Sequence, residues 1–349
     1  MFLKYQTQKI KINSIHPEKI KIRNAAAIIK NGGIVAFPTE TVYGLGANAL
    51  NPKAVRKIFL AKGRPFDDPL IIHINDFEDV SKLALEVSPL AKKIMKKYWP
   101  GPLTVILKKS KLVPKITTGG QKTVAIRMPY NKIASSLIKE SGTPIAAPSA
   151  NLFGKPSPTL AKHVLEDLDG KIDLVIDGGK TSIGLESTVL DLTSNTPVLL
   201  RPGKISYEEL CLLGKIKLTN SLKGRKLKNL ISKSPGMKYK HYAPNAKIIL
   251  VKGQTKKCMK KISSLIKKYH NENKKTGVIS TTKKNPPKSD MTLFVGKTNK
   301  TIAKNLFEAF RKFDKKGIDV ILVKEISNSE LGFAIMNRLE KAAYQTIIA

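Results

Sequence analysis

The chain has 349 residues, 41% of them hydrophobic, and its 63 Lys and Arg against 26 Asp and Glu give a formal net charge of +37. One hydrophobic core seldom organises that length, so two domains are expected, and ordinary Gly and Pro contents describe a globular chain. Two cysteines exclude a disulfide framework, the N-terminal MFLKYQTQKIKINSI lacks the apolar core of a signal peptide, and no apolar run approaches the ~20 residues that span a bilayer, so a soluble, cytoplasmic protein is expected.

Residues 23–31 (RNAAAIIKN) read as a helix stopped by Gly32-Gly33, with a short buried strand, GIVAF, after it. Asn51 as cap and Pro52 in the first turn start a helix that runs to about Lys62. PLIIHI (69–74) reads as a strand, and Ser88-Pro89 opens a helix that ends before WPGP (99–102). Strands are expected at 103–108, 123–128, 173–177, 187–192 and 197–201, and helices at 131–140 and 159–168. Strands outnumber helices, and several are close enough in sequence to pair antiparallel. This predicts a twisted, mixed α/β sheet over residues 1–210.

The pattern then weakens. Residues 215–245 are rich in Lys, Ser, Gly and Asn and end in SPGMKYKHYAP, so 211–245 reads as a connecting segment ahead of a second domain at 246–349. A strand at 247–252, a helix at 256–269, strands at 276–280 and 291–295, a helix at 299–313, a strand at 318–323 and a helix at 331–343 follow. That alternation predicts a smaller, Rossmann-like domain with a parallel sheet. It has no G-x-G-x-x-G after its first strand, which argues against dinucleotide binding.

Several polar turns leave buried strands. AFPTETVYGLGA (36–47) carries three hydroxyls, a carboxylate and two glycines that permit close approach to a ligand; a threonine-capped turn would look the same. KGRP (62–65) sets a Lys and an Arg just past a helix end, suited to phosphate or carboxylate and equally to an ordinary helix terminus. IAAPSAN (145–151), GLESTV (184–189) and RPG (201–203) repeat the strand-then-polar-turn layout, and ligands of open α/β sheets bind beyond strand ends. GGKT (178–181) is not a P-loop, because Leu174 stands where its first Gly must be. The five histidines lack metal-ligand spacing, and there is no G-x-S-x-G elbow. Lysines such as Lys92, Lys93, Lys96 and Lys97 recur throughout rather than in one block, so the charge reads mainly as solvated surface, with polyanion affinity as the other reading.

Taken together and in order, AFPTETVYGLGA, Lys62 and Arg64, AIRMP, APSAN, ESTV and LLRPG resemble the YrdC-like family of threonylcarbamoyl-AMP synthases. SPGMKYKHYAP followed by GFAIMNR (332–338) resembles its long, two-domain form, and the resemblance covers nearly the whole chain. It implies synthesis of threonylcarbamoyl-adenylate from L-threonine, bicarbonate and ATP, with Mg²⁺ held mainly through the ATP phosphates. A downstream transferase system would carry the group to tRNA, which this chain itself would contact weakly or indirectly.

By the same resemblance Thr41, His73, Arg127, Ala147 and Ser187 line the threonine site. Lys62 and Arg64 face the triphosphate as the catalytic cations, and Thr123, Ser149, Asn151, Ser157 and Arg201 complete the nucleotide site. His241 and Tyr242 would close over the nucleotide, although their flat, polar faces suit docking of two domains as well. Asp68 stands where the family usually has a nucleotide-contacting Asn; a carboxylate there would repel phosphates unless Mg²⁺ or Lys62 screens it. Two other classes remain: an RNA-binding protein without catalysis, and a carbamoyl-transfer domain.

Overall fold

In the computed structural model, which describes residues 6–223, 241–284 and 286–349, the apolar runs of the first two hundred residues become the strands of one mixed sheet. They are β1 (Gln8–Lys11), β2 (Val35–Phe37), β3 (Gly44–Asn48), β4 (Ile71–His73), β5 (Leu103–Lys108), β6 (Thr123–Arg127), β7 (Ile145–Ala146), β8 (Leu174–Asp177), β9 (Thr188–Asp191), β10 (Val198–Arg201) and β11 (Lys217–Leu218). Their spatial order is β1-β8-β2-β3-β7-β4-β6-β5-β9-β10-β11. The pairs β1–β8, β2–β8, β4–β6, β5–β9 and β10–β11 are parallel and the other neighbours antiparallel. The expected mixed sheet is therefore present.

Helix Lys19–Lys30 buries Ile22, Ala25, Ala26 and Ile29, the three- and four-residue spacing of one helical face. With Ile133, Ala134, Leu137 and Ile138 of helix Lys132–Ser141, it packs on Val35, Phe37, Leu174 and Ile176 of the sheet.

Four strands, β1, β3, β11 and β16, lie outside the expected set. The glycines of β3 have low strand propensity, so its sequence resembles a loop. They are there for space: a Cβ on Gly46 would lie 2.7 Å from both the Phe37 ring and Ile145, so their absence lets the Phe37 ring lie across the strand. β1 (QKIK) is an edge strand whose polar, mostly exposed residues carry no core pattern. The start of the segment read as a linker also contributes structure: β11 pairs with β10, and a 3-10 turn, Asn220–Lys223, follows. Residues 224–240, which hold most of SPGMKYKHYAP, lie outside the described residues.

The chain divides into two units, Met1–Phe153 with Ser157–Tyr239, and Gly154–Pro156 with Lys240–Ala349. The second is the expected parallel α/β domain. Its strands are β12 (Lys247–Lys252), β13 (Thr276–Ser280), β14 (Met291–Phe294), β15 (Val320–Lys324) and β16 (Ala343–Ile348), in the order β14-β13-β15-β12-β16 and parallel throughout. Helices Thr255–Asn271, Asn299–Lys315 and Leu331–Ala342 connect them. β16 (AYQTII) extends the sheet where the sequence reading stopped at a helix. Its mostly exposed residues again conceal an edge strand. Cys211 is exposed and Cys258 buried, both as free thiols. Among the described residues no helix is long and apolar enough to cross a membrane.

Candidate active site

A well-capped helix positions the first group of site residues. Asn51 Oδ1 accepts from the amides of Lys53 and Ala54, Pro52 occupies the first turn, and Gly63 ends the helix in the left-handed conformation at φ 61°. Lys62, on the last turn, is 1% exposed. Its Nζ donates to the carbonyls of Ser149 (2.5 Å) and Asn151 (2.6 Å), so it ties the helix end to the loop after β7. Burial above all, and then the Arg64 cation, push the Lys62 pKa well below the usual lysine value.

Arg64 lies just beyond. Its Nε donates to the Asp68 carbonyl (3.2 Å), its Nη2 donates to the Pro69 carbonyl (2.9 Å), and Nη2 pairs with Asp68 Oδ2 at 2.9 Å. The guanidinium lies 6.0 Å from the centre of the Phe153 ring. Asp68 is thus the direct ionic partner of Arg64, and the screening expected from Mg²⁺ or Lys62 is supplied first by that guanidinium.

The second group is set by strand register. His73 on β4 pairs with Arg127 on β6, and Arg127 pairs with Thr104 on β5, so the three side chains rise side by side from one face of the sheet. Thr123, four residues before Arg127 on β6, presents to the same face, as do Ile71, Ala125 and Ile106, which form an apolar cluster with Val189 and Leu200. Thr104 Oγ1 and Ser187 Oγ are 2.7 Å apart. Arg201 Nη2 donates to Ser187 Oγ (3.0 Å), and Arg201 Nε to the Ser187 carbonyl (3.0 Å). One network therefore joins Thr104, Ser187 and Arg201.

The PTET turn completes this group. Thr39 Oγ1 lies 2.7 Å from Thr41 Oγ1 and donates to the Val42 carbonyl (2.6 Å). The Glu40 carbonyl accepts from the Ile183 amide (2.9 Å) and Ser182 Oγ (3.2 Å), and the Thr41 carbonyl from the Gly184 amide (3.0 Å). The turn is thereby bound to the loop leading to Ser187. Glu40 Oε2 stands 2.7 Å from Arg127 Nη2, with side chains 7% and 5% exposed. Burial, followed by the Arg127 cation, holds the His73 pKa down at about 3, so His73 is a neutral imidazole beside Arg127. Ala147 is buried, its amide bonded to the Ile71 carbonyl (2.9 Å), and it packs closely on Gly44, where an added Cβ would lie 3.3 Å from the Ala147 Cβ.

Three expected residues have other surroundings. Ser157 Oγ is in close contact with Glu186 Oε1, and both are buried. His241 and Tyr242 belong to the second unit. There Tyr242, 4% exposed and at φ 67°, stacks on Phe307 at 5.5 Å with the Arg338 guanidinium 5.2 Å from its ring centre. A left-handed tyrosine is rare and is held only where packing over-determines it.

Sequence reasoning missed Thr104 and did not single out Glu40. The alternation of LTVILK could have placed Thr104 on a face, but only register sets it beside Arg127. Glu40 was visible as the carboxylate of the turn, without its partner.

Chemically, the arrangement offers Lys62, whose charged form is disfavoured by burial and by Arg64, and Arg64, paired with Asp68; a polyanion beside them would favour the charged form of Lys62. The arrangement also offers a hydroxyl-lined row with one arginine and a neutral imidazole, suited to a small polar substrate.

Residues 27–203 match the Sua5/YciO/YrdC family, described as telomere recombination, and residues 205–344 match the threonylcarbamoyl-AMP synthase C-terminal domain. The threonylcarbamoyl-AMP synthase of Pyrococcus abyssi is 52% identical over 332 residues, spanning 95% of this chain and 96% of that protein. The threonylcarbamoyl-AMP synthase of Bacillus subtilis is 47% identical over 334 residues, spanning 94% of each. The crystal structure of P. abyssi Sua5 complexed with L-threonine matches with a TM-score of 0.93 at 50% identity, covering 98% of this chain and 100% of that one.

Proposed function

The chain belongs to the Sua5/YrdC family in its two-domain form, and on that premise we propose that it is a nucleotidyltransferase joining L-threonine, bicarbonate and ATP. The product is L-threonylcarbamoyl-adenylate, the activated intermediate for threonylcarbamoylating an adenosine in tRNA, and pyrophosphate is released. A downstream transferase system consumes the intermediate, and a cytoplasmic setting goes with that role. The observation that carries this reading is the convergence of His73, Arg127 and Arg201 from three strands, and of Ser187 from the loop before β9, onto one site bounded by a turn that holds Thr41.

Threonine's carboxylate is held by Arg127, and its hydroxyl and methyl lie among Thr41, His73, Ala147 and Ser187. Its amine takes up bicarbonate-derived CO₂ to form a carbamate, whose oxygen attacks the α-phosphorus of ATP in line with departing pyrophosphate. The reaction needs no covalent protein nucleophile. Positioning and charge stabilisation suffice, with Lys62 and Arg64 meeting the charge that develops on the triphosphate. Thr123, Ser149, Asn151, Ser157 and Arg201 contribute to the nucleotide side.

Mg²⁺ enters as part of the nucleotide substrate. Among the described residues no group of three or more His, Cys, Asp or Glu forms a cage, and the site carboxylates Glu40 and Asp68 each face an arginine. That donor set fits a metal carried on phosphate oxygens, where it neutralises charge. The test is pyrophosphate release from ATP, which should require threonine, bicarbonate and Mg²⁺ together. Release that persists when threonine is omitted would overturn the reading.

A further inference from the structure

Burying an ion pair is costly, and it is tolerated only when both charges are well satisfied. The pair formed by Glu40 and Arg127 is close, 2.7 Å, yet incompletely satisfied. Among the described residues neither Glu40 oxygen, nor Arg127 Nη2, has an aligned hydrogen-bond partner, although both side chains are more than nine-tenths buried. The turn that carries Glu40 is meanwhile fixed by Ser182, Ile183 and Gly184, so the carboxylate is presented on a rigid support.

An amino acid brings one charge of each sign. If its carboxylate takes the guanidinium of Arg127, Glu40 is left as a buried anion unless a cation reaches it. The substrate's own ammonium is the matching charge, a few bonds from the carboxylate. We propose that Glu40 is the ammonium-binding and proton-accepting residue of the amino-acid site. The Glu40–Arg127 pair opens around the zwitterion, each member exchanging its partner for the substrate charge of opposite sign. This rests on the reading of threonine as substrate.

The exchange also meets a chemical need. An ammonium has no lone pair and cannot attack CO₂. Transfer of one proton from the α-ammonium to the Glu40 carboxylate breaks the N–H bond and leaves its electron pair on nitrogen. That pair forms the N–C bond to CO₂ while Glu40 carries the proton as a neutral acid, and the second N–H proton, shed as the adduct becomes the carbamate, goes to the hydroxide left when bicarbonate yields CO₂, giving water. Oxidation states do not change, and bicarbonate-derived CO₂ is the sole co-reactant.

The test compares L-threonine with 3-hydroxybutanoate, which keeps the carboxylate, hydroxyl and methyl but lacks the ammonium, by calorimetry on the full chain. The intact protein should bind threonine roughly 30-fold or more tightly than 3-hydroxybutanoate. Equal affinities in the intact protein would overturn the proposal before any variant is made. In a folded Glu40→Gln variant, threonine affinity should fall to about that of 3-hydroxybutanoate while the latter's is unchanged. A purely structural role of Glu40 in holding Arg127 would weaken both ligands alike and would equally overturn the proposal. Adenylate formation at saturating threonine should fall roughly 100-fold or more in the variant, the scale of a lost general base. Failure of the intact protein to bind threonine at all would instead remove the functional reading on which the proposal stands.

Discussion

Asp68 Oδ2 lies 2.9 Å from Arg64 Nη2, and the two side chains are buried together at the end of the KGRP turn. The carboxylate neutralises an arginine that a triphosphate would also seek, so it holds the guanidinium in place and competes with the ligand at the same time.

Arg64→Ala should therefore lose transition-state charge stabilisation of roughly 2.7–4 kcal/mol, by analogy with a deleted oxyanion donor, or about 100–1,000-fold in rate. It should also lose stability, because Asp68 is left as a buried, uncompensated charge. The Arg64→Ala, Asp68→Ala double variant should recover stability without recovering activity, a coupling that a double-mutant cycle in denaturant reads directly. Asp68→Asn keeps the shape and removes the competing charge, so the KM for ATP should fall while that for threonine stays constant. An unchanged rate in Arg64→Ala would remove Arg64 from the reaction.

His73 gives a pH dependence with a definite sign. Its folded pKa of about 3 lies below the usual histidine value, so the unfolded chain binds a proton that the folded chain does not. Its stability contribution is fully present above about pH 6.5 and is lost as pH falls toward 3, at up to about 1.4 kcal/mol per pH unit. Denaturant melts at pH 7, 6 and 5 should show the advantage of the intact protein over His73→Asn shrinking on that slope. A constant difference would mean that His73 is not buried as a neutral imidazole.

Tyr242 and His241 separate under mutation. Tyr242 is stacked on Phe307 and covered by Arg338, so Tyr242→Ala should cost about 3–5 kcal/mol, the range for truncating a buried aromatic. His241 lies 5.6 Å from the Tyr242 ring, at the edge of that stack. His241→Ala should keep the melting temperature and weaken ATP binding if the histidine closes over the nucleotide. A melting temperature unaffected by Tyr242→Ala would contradict the packing described here.

Much of this was legible in the sequence, for physical reasons that differ by element. Asn51-Pro52 and Gly63 carry their conformational preferences in their own chemistry, so the helix that places Lys62 could be read to within a residue. Interior strands such as LTVILK and TVAIR announce themselves by burial on both faces. Edge strands do not, and QKIK and AYQTII passed unnoticed. Glycine concealed β3, whose residues were selected for the space they leave under Phe37. In the site, the Lys-x-Arg spacing and the strand-end serines were visible as motifs. The partnerships Glu40–Arg127 and Thr104–Ser187 were not, because each joins segments far apart in the chain and is fixed only by register and loop anchoring.

The most direct test of the account follows the atoms. Purified protein incubated with ATP, Mg²⁺, L-threonine and ¹³C-bicarbonate should yield one nucleotide product that contains threonine, the labelled carbon and AMP, with one pyrophosphate released per molecule formed. Addition of tRNA should leave that rate unchanged. A product in which threonine is joined to AMP without the labelled carbon, or pyrophosphate released with no such nucleotide, would contradict the account.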